Sequence, residues 1–173
     1  MTDSHDDSTD ELFGLASALA IGATVPFLDR YPQIKSRIPE QAQGFLETWD
    51  ETLTAAILYA TILVAMEQGD QETAKRIHEA IQDRVNSGKP RLEQTVNACA
   101  RFLEDGQKLV APDLHANTVQ ENTESFQFLL GHWVLATSFG VPILPSEVEP
   151  VRALGLLTAQ AASAIYQSCQ TNR

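Results

Sequence analysis

The side chains that could do chemistry in this chain are few, and their spacing brings few of them together. His132 stands in Leu129-Leu130-Gly131-His132-Trp133-Val134-Leu135, where almost any helical rotation buries it. A buried imidazole needs a hydrogen-bond partner, which Tyr59, Tyr166 or a backbone carbonyl would supply. The alternative is a ligand contact inside a helical bundle, with Gly131 leaving room beside the ring. Trp49, Tyr59, Phe126 and Trp133 are then the candidate walls, with His132, of a pocket for a small apolar ligand or cofactor. Aromatic residues at helical spacing serve more often as core.

Nucleophilic and metal chemistry find less support. Cys99 and His78 fall on neighbouring predicted helices, but nothing basic and no helix N-terminus is placed to lower the thiol pKa. Cys99 lies on an apolar stripe and reads as a small buried hydrophobe. Glu121 and Glu124 share a face in the first turns of a predicted helix, where the helix dipole favours carboxylates without any catalytic role. Di-iron bundles need Glu-x-x-His, yet Lys75, Pro112 and Leu129 stand three residues before His78, His115 and His132. There is no H-E-x-x-H and no C-x-x-C, and Asp113 with His115 reads as a solvated loop. Ser87-Gly88-Lys89-Pro90 lacks the upstream glycine of a phosphate loop, since Asp83 occupies that place, and Pro90 replaces the magnesium-binding Ser or Thr. No G-x-G-x-x-G or G-x-S-x-G occurs. No cofactor and no metal is expected, and the chain reads as non-enzymatic rather than as an enzyme.

The elements that must position these residues are helices. A chain of 173 residues buries enough surface to fold as one domain without disulfides or metal. Its 23 acidic and 12 basic residues give a net charge of -11, which argues against nucleic acid. Asp3, Asp6, Asp7, Asp10 and Glu11 carry about half of that excess with no base among them. Residues 1–8 read as an acidic disordered tail, and residues 9–173 as a single helical-bundle domain. Two cysteines make no disulfide framework, and a cytoplasmic setting is expected.

Apolar periodicity is helical almost throughout. The first helix is expected from Thr9 to Val25, opened by the capping box Ser8-Thr9-Asp10-Glu11 and ended or kinked by Pro26. Gly14, Ala18 and Gly22 line one of its faces with almost no side chain, so another helix backbone is expected to approach there. Phe27–Ile38 reads as an irregular connection, and Pro39 as the start of a long second helix reaching Gln68. Gly69-Asp70 reads as a C-terminal glycine followed directly by an N-cap, forcing a tight helical hairpin. This turn is similar to that of a tetratricopeptide hairpin, but the likeness covers one repeat, no second copy follows, and it reads as generic hairpin chemistry.

The third helix, about Gln71–Asn86, and a fourth opening at Pro90 are amphipathic. Gly106–Ala116 reads as a loop. The fifth helix runs from Asn117 to about Phe139 and, being apolar nearly all round beyond Glu124, is expected to be central. Ser146 with Glu149 caps a sixth helix rich in Ala, Gly and Ser, thin enough to pack against several neighbours. The expected fold is therefore all-α, an antiparallel bundle of about six helices with a tight helical hairpin in the middle.

Surplus apolar surface binds something or aggregates. The leading expectation is a helical protein acting through protein–protein binding, as an adaptor, an immunity- or antitoxin-like protein or a regulatory subunit, and self-associating as a homodimer. Asp50, Glu51, Glu121 and Glu124, with the acidic arm, are the candidate surface for a basic protein partner. The pocket near His132 is the alternative. A membrane-associated helix through Leu12–Leu28 is the second alternative, although no Lys or Arg cluster flanks that run.

Overall fold

The computed structural model describes residues 4–39, 43–89, 91–110 and 119–171. Among them are seven α-helices and no strand: α1 Ser4–Arg30, α2 Pro32–Lys35, α3 Gln43–Glu67, α4 Gln71–Asn86, α5 Arg91–Val110, α6 Val119–Phe139 and α7 Val148–Thr171. A 3-10 turn at Pro145–Glu147 leads into α7. The protein is an all-α bundle.

α1 is longer at both ends than its sequence signals indicate. It begins at Ser4, upstream of the Thr9 start, so residues 4–8 of the expected disordered tail are helical. Carboxylates at a helix start are favoured by the dipole, which rewards this extension. It also continues through Pro26 to Arg30. Pro26 removes the N–H that would reach the Gly22 carbonyl, but both residues are exposed and water can satisfy that oxygen. Meanwhile Phe27 and Leu28, one residue further, hold the last turn in the core.

The packing face of α1 is not its small-residue stripe. Leu12, Phe13, Ala16, Ala20, Thr24, Phe27 and Leu28 are buried, whereas Gly14, Ala18 and Gly22 are exposed. A Cβ added at Gly14 or Gly22 would meet nothing within 4 Å. The large side chains of the other face give more apolar area per turn, and that face wins the core.

α3 is the hub, packing on α1, α4, α5, α6 and α7. The unbroken buried run Thr52–Leu58 shows that it is covered on every side. Its polar residues there are threonines, which can return their hydroxyls to the helix: Thr61 Oγ1 donates to the Ile57 carbonyl at 2.7 Å. α6, expected to be central, packs instead on α3, α5 and α7 and keeps a half-exposed side through Phe126, Gln127, Phe128 and His132.

The hairpin between α3 and α4 forms as its sequence indicates. Gly69 has φ +71°, the Asp70 amide donates to the Ala65 carbonyl at 2.8 Å, and Asp70 Oδ1 accepts from the Thr73 amide at 3.1 Å. Gly88, at φ +110°, closes α4 in the same manner, with the Lys89 amide on the Arg84 carbonyl at 3.0 Å. α5 does not stop at Gly106. The Leu129 side chain of α6 presses onto that glycine, its Cδ2 only 2.8 Å from where a Cβ would stand, so Gly106 is a packing notch rather than a loop start.

The tightest crossing joins α6 to α7. A Cβ on Gly131 would stand 1.9 Å from the Val151 carbonyl oxygen, and one on Gly155 would stand 1.7 Å from the Gln127 carbonyl oxygen. Only two glycines permit this backbone approach. The entry to α7 is pinned by Glu147, which is buried. Its Oε2 accepts from the Leu144 amide at 2.7 Å and its Oε1 from the Arg37 guanidinium, which lies 4.6 Å over the Phe139 ring. Glu147, not the expected Ser146–Glu149 pair, therefore closes this turn, because Glu149 is drawn away to Tyr31.

Candidate functional site

The five residues expected to wall a pocket are spread over two helices of the bundle, α3 and α6. Trp49 is fully buried, and its Nε1 donates to Thr24 Oγ1 at 3.0 Å. That bond satisfies the indole on α1, and Phe27 and Phe45 pack on its ring at 5.8 and 5.9 Å between centroids. Trp133 is buried and Phe126 half-buried against the core. Tyr59 is half-buried, its hydroxyl pKa raised by burial and then by its neighbours Glu104 and Cys99, which place it on the α5 side of α3.

His132 is half-buried rather than enclosed, between Phe102 and Phe128 at 5.7 and 6.1 Å. Burial alone pushes its imidazole pKa down, the neutral ring being the one an apolar setting favours. Gly131 leaves no room beside it, since the α7 backbone fills that space. None of the five lines either of the clefts described next. Cys99 is buried and its thiol is pushed up by desolvation, the opposite of an activated nucleophile. No group of three His, Cys, Asp or Glu residues that could hold a metal occurs among the described residues. Asp113 and His115 lie outside them.

One cleft, of about 460 Å³, opens between α1, α3 and the α4–α5 turn. Phe13, Ser17 and Ile21 form its α1 side, and Glu47, Asp50, Glu51 and Thr54 its α3 side. Three carboxylates at spacings of three and four share one helix face, so α3 presents them together. Glu51 is tied down, accepting from Thr95 Oγ1 at 3.1 Å. Asp50 has no hydrogen-bond partner among the described residues, and burial pushes its carboxyl pKa up. Lys89 and Arg91 stand on the remaining wall, where the Lys89 ammonium lies 5.1 Å from the Phe13 ring centroid.

Two of the expected partner-surface residues, Asp50 and Glu51, thus share this cleft. Glu47 belongs with them but was missed in the sequence, because it is isolated there and gains meaning only from the α1 face opposite. Glu124 lies elsewhere, and the side chain of Glu121 is outside the described ones.

The cleft continues onto a bare apolar surface. Ile21 lines it and is 56% exposed, and Val25, one turn on, is 64% exposed. With Ala18 and Gly22 they form the outward face of α1. Among the described residues, two helices are long and apolar enough by length and mean hydropathy to cross a membrane. They are Glu11–Arg30, at 1.6 with 39% of its window buried, and Gly44–Glu67, at 1.2 with 61% buried. The second is the hub of the bundle, and its hydropathy is spent on the core.

A second cleft, of about 1000 Å³, lies where the end of α1 meets α6 and α7. Its α7 wall runs from Val148 to Gln160, about 18 Å of helix at 1.5 Å per residue. Tyr31 Oη donates to Glu149 Oε1 at 2.8 Å across it, and burial followed by that carboxylate raises the phenol pKa. Arg30 lies 5.6 Å over the Tyr31 ring. No protein-family model, no curated protein and no solved structure matches the chain.

Proposed function

We propose that this protein works by binding other proteins, as an adaptor, immunity-type or regulatory subunit, through the outward face of α1 and the acid-lined cleft beside it. The observation that carries this reading is Ile21, which is both an exposed hydrophobe and a wall of the cleft holding Glu47, Asp50 and Glu51. Apolar area supplies affinity on such a surface, and the carboxylates select a basic segment and steer it in. Desolvation of Asp50 adds to this, because a lysine or arginine brought to it relieves the burial of its charge.

The partner class is a protein with a basic amphipathic segment. The test compares capture by the wild type with capture by Glu47→Gln/Asp50→Asn/Glu51→Gln, read by quantitative mass spectrometry at low and high salt. A partner lost both in the variant and at high salt supports the reading. Capture that is identical in both proteins overturns it.

Self-association belongs to the same proposal. The α1 face carries Ile21 and Val25 beside small residues, so a second helix can lie close against it. Light scattering at micromolar concentration is expected to give a dimer that Ile21→Ser/Val25→Ser converts to monomer. A wild-type monomer would remove this part.

A further inference from the structure

We infer that the outward ridge of α1 in one copy seats in the larger cleft of a second copy, between the end of α1, α6 and α7, an assignment that rests on the self-association proposed above. Position is the first observation. Val25 is 64% exposed on the ridge, and Pro26, the next residue, lines the cleft. On the α7 wall stand Val148 and Leu156, 40% and 45% exposed. A projecting apolar side chain and a cleft with apolar rims therefore lie side by side on one surface. Such a surface is self-complementary, because a two-fold axis between the two features brings each ridge to the other copy's cleft.

Charge and area select the occupant. Glu124 and Glu149 balance Arg30 and Arg152 on the cleft walls, so the lining offers no net charge to a ligand, and recognition falls to its apolar part. The smaller cleft sets three carboxylates against Lys89 and Arg91. Chains of net charge -11 repel one another, and they approach at least cost through a balanced surface. Four of the eight large hydrophobics exposed among the described residues, Ile21, Val25, Val148 and Leu156, lie on this stretch, and a two-fold contact buries each of them twice. The ridge also fits. Ala18 to Val25 spans about 12 Å against an α7 wall of about 18 Å, and Gly22 has open space where a Cβ would stand.

Sedimentation velocity of the full chain tests this docking, with Val25→Glu and Leu156→Lys taken singly and mixed. Both positions are exposed in one copy, so each variant is expected to keep the wild-type helical circular dichroism. The wild type is expected to dimerise at micromolar concentration. Each variant alone is expected to dimerise at least about a hundredfold more weakly, because an unpaired charge is buried twice per dimer. Mixed one to one, the two are expected to form a heterodimer at least about tenfold more tightly than either forms a homodimer. One contact then pairs the introduced carboxylate with the introduced ammonium, and the other is native. A wild-type dimer that Val25→Glu disperses and Leu156→Lys leaves intact overturns this docking while keeping self-association through α1, as does a mixture that stays monomeric. A wild-type monomer removes both.

Discussion

The α6–α7 crossing and the α1–α3 side of the bundle are both built with small residues, and they use them in opposite ways. At the crossing, Gly131 and Gly155 bring two backbones into contact that no Cβ could share. On α1, Gly14, Ala18 and Gly22 face solvent with open space above them. The first arrangement is closed and carries stability. The second leaves Ile21 and Val25 outside the core, where their area stabilises nothing in one copy of the chain. A small-residue stripe therefore marks a close approach only when the opposite face of the same helix has less to bury. On α1 that other face carries Leu12, Phe13, Phe27 and Leu28, and it is the one that packs.

The contrast can be broken most severely at the crossing. Gly131→Ala or Gly155→Ala is expected to cost about 3 kcal/mol or more, because the added carbon meets backbone and not a movable side chain. Gly14→Ala and Gly22→Ala, by comparison, are expected to be neutral or to stabilise α1 by up to about 1 kcal/mol. Urea unfolding of the four variants measures both. The next largest effect is at the entry to α7. Glu147→Ala removes the partner of Arg37 and the acceptor of the Leu144 amide, for an expected loss of about 3 kcal/mol by the same assay.

A smaller effect concerns pH. The His132 pKa is lowered by burial, so the unfolded chain binds its proton first. Its contribution to stability is complete above the ordinary value near 6.5 and is lost as pH falls through the lower folded value. Melting temperature is thus expected to drop between about pH 7.5 and pH 5.5, and by less in His132→Phe, which keeps the ring contacts with Phe102 and Phe128. Least of all, Ile21→Ser/Val25→Ser is expected to change monomer stability by no more than about 0.5 kcal/mol, since neither side chain is in the core.

Much of the architecture was legible in the residues. The helical class, the Gly69–Asp70 hairpin and the amphipathic faces of α4 and α5 follow from local chemistry, which needs no partner to be interpreted. Helix order within the core was not legible. α3 and α6 are both apolar over long runs, and only packing decides that α3 is the hub. Pro26 and Gly106 failed as stop signals for one reason, that buried neighbours beyond them outweigh a local cost.

The candidate site was legible only in part. Asp50 and Glu51 were recognisable as charged positions, but Ile21 and Glu47 join them through a contact between α1 and α3 that no spacing encodes. His132 drew attention because its neighbours in sequence are apolar, while its half-exposed position depends on how α6 rolls to seat Gly131 against α7.

Photo-crosslinking is the most direct test of the claim that α1 carries the binding surface. A benzophenone side chain in place of Ile21 is compared with one in place of His78, an exposed position on α4. Adducts to a protein, a second copy or another chain, are expected from position 21 alone, and fewer of them when Glu47, Asp50 and Glu51 are neutralised. Equal adduct yields from the two positions, or none from either, would contradict it.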